Sequence, residues 1–311
     1  MKNWIIAFRL RTLPLALSSV GMGGFLAAHH GEFRLNIFLL TALTTILLQI
    51  LSNLANDYGD SIHGADHAGR KGPLRAVQSG IITPKAMKTA VITFAILSLV
   101  SGLVLLFVSF GSNLLNVLGW LVIGCMCIYA AITYTAGKKP YGYLGFGDLS
   151  VFIFFGIVGV MGSQFMHTLK FDMLHLIPAA ASGFWAVAVL NLNNIRDIDS
   201  DRIAGKYSVP VRFGHAAALS YHRFLLYGAI VLGVLFQIID MMRSAQHFQP
   251  LRFIFLFTLP VVFLLDRAVR RYKPHELDPW LKETALTALA FMLLFGLGLV
   301  LTSPSEKILN I

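Results

Sequence analysis

Nine apolar runs, each long enough to cross a lipid bilayer, follow one another along the chain. A membrane-spanning α-helix needs about 20 mainly apolar residues, and in lipid only helices and closed barrels satisfy every backbone hydrogen bond. The runs begin near Thr12, Asn36, Met87, Leu114, Gly147, Leu174, Leu219, Arg252 and Lys282. We therefore predict an all-α polytopic membrane protein, with nine transmembrane helices in one bundle and a single domain over residues 1–311.

The composition excludes an ordinary soluble domain. Charged residues make up 13% of the chain and hydrophobic residues 56%, whereas soluble domains carry about 25% charged residues. If the runs cross the membrane in turn, 20 of the 25 lysines and arginines lie on the side of the N-terminus. Because these residues accumulate in cytoplasmic loops, we expect a cytoplasmic N-terminus and an external C-terminus. No basic cluster stands apart from a membrane edge, so we expect contact with membrane lipid and none with nucleic acid.

The second apolar run ends in an acidic segment, NLANDYGDSIHGAD, from Asn53 to Asp66. Asn53, Asp57 and Asp60 have the i, i+4, i+7 spacing of one helical face, and Asn56 precedes Asp60 by four residues. Carboxylates at the C-terminal end of a helix face the negative end of its dipole, and at a membrane edge they are costly unless matched. A cation is therefore expected beside this segment.

A second segment of the same kind, LNLNNIRDIDSDRIAGK, follows the sixth run. Asn193, Asp197 and Asp201 have the spacing i, i+4, i+8 on one face, with Asn194 beside them, whereas Asp199 falls on another face. The two acidic helix ends lie on the same membrane side and four spans apart. This arrangement indicates a pseudo-repeat of four plus four helices with a ninth.

Together, the two segments suit a magnesium site that faces a phosphate group. Mg²⁺ takes oxygen ligands and bridges to phosphate oxygens. We expect Asp57, Asp60, Asp197 and Asp201 to bind the metal, which would stabilise a leaving diphosphate. The residues expected to bind substrate around them are Asn53, Asn56, Arg70, Lys71, Arg75, Asn193, Asn194, Arg196 and Lys206. A solvated acidic helix end remains the competing interpretation of each segment taken alone.

The two motifs resemble those of a known superfamily. NDxxD in the first segment and NxxxDxxxD in the second are similar to the aspartate motifs of the membrane aromatic prenyltransferases. The resemblance implies that both motifs hold Mg²⁺ and a polyprenyl diphosphate, whose allylic cation attacks an aromatic acceptor. One position departs from the superfamily pattern, because Gly64 stands where a third aspartate is usual and the next acid is Asp66.

Four longer blocks narrow the resemblance to one branch. The chain is similar to the 1,4-dihydroxy-2-naphthoate polyprenyltransferases of menaquinone synthesis in four blocks: FRLRTLPLA, residues 53–80, residues 132–163 and NLNNIRDIDSDRIAGK. The resemblance implies transfer of a polyprenyl group to 1,4-dihydroxy-2-naphthoate with loss of CO₂ and diphosphate, giving demethylmenaquinone. It also implies a bacterial cytoplasmic (inner) membrane.

Such a reaction needs a dry cavity with aromatic faces, which stabilise a cation. Tyr134 is the candidate aromatic residue with a catalytic role, just before the basic pair Lys138 and Lys139. These lysines either meet the acceptor carboxylate or only follow the positive-inside rule, and the sequence leaves both open.

Three alternative functions are weighed. A sister enzyme that prenylates another aromatic acid, such as 4-hydroxybenzoate, is the nearest. A secondary transporter is expected to carry its charges at the membrane midplane on broken helices, whereas these acids cluster at one edge. A phosphotransferase for CDP-alcohols carries its aspartates within one contiguous segment, whereas this chain separates them widely.

Overall fold

The computed structural model describes residues 2–63 and 75–303, and all regular structure in these ranges is helical. Four residues singled out from the sequence, Gly64, Asp66, Arg70 and Lys71, lie outside the described residues. The α-helices are α1 (Lys2–Phe8), α2 (Leu13–His29), α3 (Leu35–Ile62), α4 (Pro84–Phe110), α5 (Leu114–Thr133), α6 (Gly147–Val151), α7 (Gly162–Thr168), α8 (Leu176–Arg196), α9 (Ile198–Ile203), α10 (Val209–Phe213), α11 (His215–Arg243), α12 (Leu259–Arg271) and α13 (Asp278–Leu301). A π-helix, Phe152–Met161, joins α6 to α7.

Eight helical segments in the described ranges are long and apolar enough to cross a membrane. They confirm the prediction of an all-α polytopic membrane protein. The predicted count of nine is not confirmed: the run near Arg252, a 3₁₀-helix, Pro250–Thr258, followed by the short α12, is not among the eight. Pro260 at the start of α12 has no N–H group to extend a helix through this point.

The outer surface of the bundle is apolar. Leu115, Phe257 and Met242 are each at least 75% exposed, and α5 buries only Val117 among its residues. Exposed side chains of this size are unfavourable in water, whereas lipid is as apolar as they are. The pattern is that of helices whose outward faces contact lipid.

The helices pack in the order that the pseudo-repeat predicts. In the first half α2 contacts α3, and α3 contacts α4; in the second half the π-helix contacts α8, and α8 contacts α11. The final helix, α13, packs on both α2 and α8 and so joins the two halves. Helices α3 and α8, which carry the acidic segments, therefore occupy corresponding places. We call the end of the bundle where these two helices finish the acidic end.

Candidate active site

The two acidic segments meet at the acidic end, joined by the loop between α5 and α6. The Tyr143 hydroxyl in this loop donates a hydrogen bond to Asp60 Oδ1 at 2.7 Å. The backbone N–H of Tyr207, beyond the second segment, donates to the Tyr143 carbonyl at 2.9 Å. Burial and the neighbouring Asp60 carboxylate raise the pKa of Tyr143 well above its usual range, so its hydroxyl stays protonated and can donate.

The first pair of aspartates is buried and bonded to the chain that follows α3. Asp57 and Asp60 are 1% and 4% exposed. The backbone N–H groups of Ala76 and Val77 donate to the two oxygens of Asp57 at 3.1 and 3.3 Å. Arg75 donates to Asp60 Oδ2 and forms an ion pair with it. These contacts exclude a solvated acidic helix end for this segment.

The asparagines of the first segment bind neighbouring elements. Asn53 Nδ2 donates to the Phe8 carbonyl at 2.9 Å and to Thr12 Oγ1 at 3.0 Å. Asn56 Oδ1 accepts from Thr135 Oγ1 at 3.0 Å. Thr135 also lies directly against Gly59, and a Cβ atom at Gly59 would lie 2.5 Å from the Thr135 carbonyl carbon. Only glycine allows α3 and the Thr135 segment to approach this closely.

The second pair of aspartates spans a break between α8 and α9. Asp197 follows the last residue of α8, and its N–H still donates to the Asn193 carbonyl at 3.1 Å. The Asp201 N–H donates to the Asp197 carbonyl at 2.8 Å. The helical spacing is therefore kept across the break. Asp197 and Asp201 are 4% and 7% exposed, and Asp199 is exposed, as its position off the shared face predicts.

Arg196 binds protein carboxylates on both sides. Its guanidinium donates to the two oxygens of Asp197 at 2.9 and 2.8 Å, to Asp278 at 2.5 Å and to Asn193 at 2.7 Å. Asp278, at the start of α13, also accepts from Arg11 at 2.8 Å. In this structure Arg196 therefore orients Asp197 and ties it to α13. The sequence predicted a substrate contact for Arg196 and did not predict this chain of ion pairs.

Lys206 lies between the two aspartate pairs. Its ammonium is 3.5 Å from Asp201 Oδ1, and the residue is 8% exposed. Burial alone would lower the pKa of Lys206, but the charges of Asp201, Asp60 and Asp197 outweigh it and raise the pKa. Burial, with added repulsion from Asp197 and Asp60, raises the pKa of Asp201 against the attraction of Lys206. The two segments therefore form one electrostatic unit.

Two oxygen atoms in this unit are suitable ligands for a magnesium ion. Within the described residues, the buried oxygens Asp201 Oδ2 and Asn194 Oδ1 have no hydrogen-bond partner. Buried polar atoms without a partner are unfavourable, and carboxylate and amide oxygens are the ligands that Mg²⁺ accepts. The residues present therefore fit this metal.

The loop that carries Tyr143 also positions Tyr134, at the end of α5. The Tyr134 ring meets the edge of Tyr141 with centroids 5.4 Å apart. Burial raises the pKa of Tyr134 above its usual range, and the opposing effect of the nearby Lys206 is smaller. Lys138 and Lys139 are exposed on the same loop, and the structure does not bring them against the buried aspartates.

A cavity of about 400 Å³ extends from the acidic end into the bundle. Arg11, Asn53, Asn56, Asn193 and Tyr134 line it at the acidic end. Most of its remaining wall is apolar, and the residues that line this part include Leu15, Leu106, Trp120, Phe154, Phe155 and Met166. Polar and charged groups therefore gather at one end of a long apolar space.

One protein family matches this chain over most of its length. The model of the UbiA prenyltransferase family matches residues 16–295 of this chain. The chain belongs to the UbiA prenyltransferase family. The match covers the residues of both acidic segments and most of α13.

Relatives within the UbiA family match over almost their full length. The chain is 43% identical over 300 residues to an Escherichia coli K12 protein named 1,4-dihydroxy-2-naphthoate octaprenyltransferase, covering 96% of this chain and 95% of the relative. It is 40% identical to a Haemophilus influenzae protein of the same name, covering 97% and 96%. The fold matches the structure of a UbiA homologue from Archaeoglobus fulgidus bound to DMAPP and Mg²⁺, with TM-score 0.61, 17% identity, and 96% and 99% coverage.

Sequence reasoning missed Gly59, Tyr143 and Asp278. Gly59 lies inside the NDxxD motif, and a glycine within a helix indicates that another segment can pack closely against it. Tyr143 lies within residues 132–163, and a tyrosine 83 residues after Asp60 carries no spacing signal. Asp278 begins a helix far along the chain, and only packing brings it to Arg196.

Proposed function

We propose that this protein transfers a polyprenyl group from polyprenyl diphosphate to 1,4-dihydroxy-2-naphthoate. The allylic carbon–oxygen bond breaks as diphosphate leaves, a carbon–carbon bond forms at the ring carbon that carries the carboxylate, and CO₂ leaves from that carbon, giving demethylmenaquinone in its reduced, quinol form. The observation that carries the proposal is the 43% identity to a relative of this name over 96% of the chain. The buried aspartate pairs above an apolar cavity support it, because the donor has a charged head and a lipid-like tail.

Asp57, Asp60, Asp197 and Asp201 are the proposed magnesium ligands. Mg²⁺ would supply positive charge that neutralises the leaving diphosphate. The fit of the oxygen donors supports this assignment, and a structural relative in the family is described as bound to Mg²⁺. The four carboxylates are buried together at the acidic end, where Arg75, Arg196 and Lys206 offset part of their mutual repulsion and Mg²⁺ would offset more.

Lys206 is the proposed contact to the diphosphate nearest the metal. Its ammonium lies among the carboxylates, so it would be placed to bind a phosphate oxygen of a diphosphate held beside them. The other proposed substrate contacts are Asn53, Asn56, Arg70, Lys71, Arg75, Asn193, Asn194 and Arg196. Arg70 and Lys71 lie outside the described residues and rest on the sequence alone.

The apolar cavity is the proposed site of the prenyl tail and of the reacting carbon. Tyr134, Phe154 and Phe155 line it, and aromatic faces stabilise an allylic cation while excluding water. Lys138 and Lys139 are the proposed contacts to the carboxylate of the acceptor, which approaches from the aqueous side where they are exposed.

The proposed location is the bacterial cytoplasmic membrane, with the acidic end facing the cytoplasm. The distribution of lysine and arginine supports this orientation, since 20 of 25 lie on the side of the N-terminus. The soluble acceptor would then reach the acidic end from the compartment in which it is made.

The proposal is tested by one assay of the purified protein in detergent or liposomes. Octaprenyl diphosphate and Mg²⁺ are supplied with either 1,4-dihydroxy-2-naphthoate or 4-hydroxybenzoate. We expect a prenylated product and release of CO₂ with dihydroxynaphthoate, and loss of both when EDTA replaces Mg²⁺. A higher kcat/KM for 4-hydroxybenzoate would overturn the acceptor and favour the sister enzyme, and activity in EDTA would overturn the metal.

A further inference from the structure

A second group of possible metal ligands lies at the end of the bundle opposite the acidic end. His30 follows the last residue of α2, and Asp172 and His175 lie in the segment that leads into α8. One ligand atom from each of the three residues lies within 4.8 Å of the other two. His30 and Asp172 are half-buried, and His175 is 1% exposed.

We propose that His30, Asp172 and His175 form a zinc site that joins the ends of two membrane spans. The Nε2 atoms of His30 and His175 are 3.2 Å apart. With Zn–N distances of about 2.0–2.1 Å, nitrogens 3.2 Å apart subtend roughly 100° at the metal, close to the tetrahedral angle. The third ligand is a carboxylate, and a water molecule supplies the fourth because two of the three residues are partly open to solvent.

The surroundings of Asp172 and His175 allow both residues to bind a metal. Asp172 accepts from the Leu174 N–H at 3.0 Å and from Arg243 at 2.9 and 2.7 Å, and a carboxylate has lone pairs beyond these bonds. Nδ1 of His175 is buried with no hydrogen-bond partner among the described residues. Within the described ranges, the His175 ring therefore has one polar contact, with His30, and its second ring nitrogen lacks the partner that a buried structural histidine usually has.

The adjacent His29 belongs to a different network. Its Nδ1 is 2.7 Å from Ser303 Oγ, and its Nε2 is 3.2 Å from Asp240 Oδ2. Asp240 in turn pairs with Arg252 at 2.5 Å. Both ring nitrogens of His29 are thus engaged, so the ligand set among the described residues is His30, Asp172 and His175.

The proposed site differs in chemistry from the acidic end. Two imidazoles and one carboxylate favour Zn²⁺, whereas the all-oxygen aspartate cluster suits Mg²⁺. An ion here would connect the C-terminal end of α2 to the entry of α8 and so stabilise the bundle far from the chemistry. We expect zinc to raise the unfolding temperature with no change in prenyl transfer.

The experiment measures zinc bound to the full-length protein in detergent. Protein stripped with EDTA is dialysed against Zn²⁺ with a large excess of Mg²⁺, which occupies oxygen-only sites, and metal is counted by mass spectrometry. We expect one zinc per wild-type chain, and a higher unfolding temperature with zinc than without. His30→Gln and His175→Gln should each lose both effects, whereas His247→Gln, the same change at an exposed histidine, should keep them.

Two results would overturn the site. The first is wild-type protein that retains no zinc, which would identify the His30–His175 contact as a hydrogen bond between neutral rings. The second is equal zinc retention in all three variants. If His175→Gln does not fold, His30→Gln decides the question, because His30 is half-buried and its loss should leave the bundle intact.

Discussion

Lys206 is the position where the electrostatics of the acidic end are most open to measurement. The substitution Lys206→Met removes the ammonium and keeps a side chain of similar length in a site that is 8% exposed. Asp60, Asp197 and Asp201 then remain buried, and the positive charge of Lys206 no longer offsets their negative charges. Because no metal replaces it in EDTA, the free energy of unfolding should fall.

The size of the loss follows from the contact. Removing one partner of a buried ion pair costs about 3–5 kcal/mol. The 3.5 Å separation from Asp201 is long for a hydrogen bond, so we expect the lower limit, about 3 kcal/mol. Mg²⁺ should stabilise the variant more than the wild type, because the Lys206 ammonium no longer competes with the metal for Asp201. A ligand at about 100 times its Kd stabilises by about 2.7 kcal/mol, so the metal can offset most of the loss.

The assay is reversible unfolding in mixed micelles, in EDTA and in Mg²⁺, for wild type and variant. Lys138→Met is the matched control, because it makes the same change at an exposed lysine and should stay within about 0.5 kcal/mol of wild type. Two findings would refute the reasoning: equal stability of Lys206→Met and wild type in EDTA, or equal stabilisation of both by Mg²⁺.

Two further predictions concern the aspartates and the orientation. Asp60→Asn and Asp197→Asn should each lower turnover by orders of magnitude in folded protein. Asp199→Asn, at an exposed position off the shared face, should have only a mild effect. Near-normal Mg²⁺-dependent turnover in both Asp60→Asn and Asp197→Asn would contradict the metal site. In a background without the two natural cysteines, Ser79→Cys should be labelled by an impermeant reagent only from the cytoplasm, and Ser112→Cys only from outside; the reverse pattern would invert the orientation.

The sequence by itself determined the class of fold and the residues of the acidic end. Runs of about 20 apolar residues have one stable solution in lipid, so the helices could be predicted without any tertiary contact. The i, i+4 spacing of Asn53 with Asp57 and of Asn193 with Asp197 is local, and helix geometry alone places each pair on one face. The exposed Asp199 was separated from its neighbours by the same rule.

Only the tertiary structure decided what each of these groups contacts. The run after Arg252 carries enough apolar residues for a span, yet its prolines and charges divide it into a 3₁₀-helix and a short α-helix. Arg196, predicted to contact the diphosphate, also links Asp197 to Asp278, 82 residues away, and no spacing indicated that link. Such pairings depend on which helices pack together, and packing between distant helices depends on side-chain shape along whole faces, which no local spacing encodes.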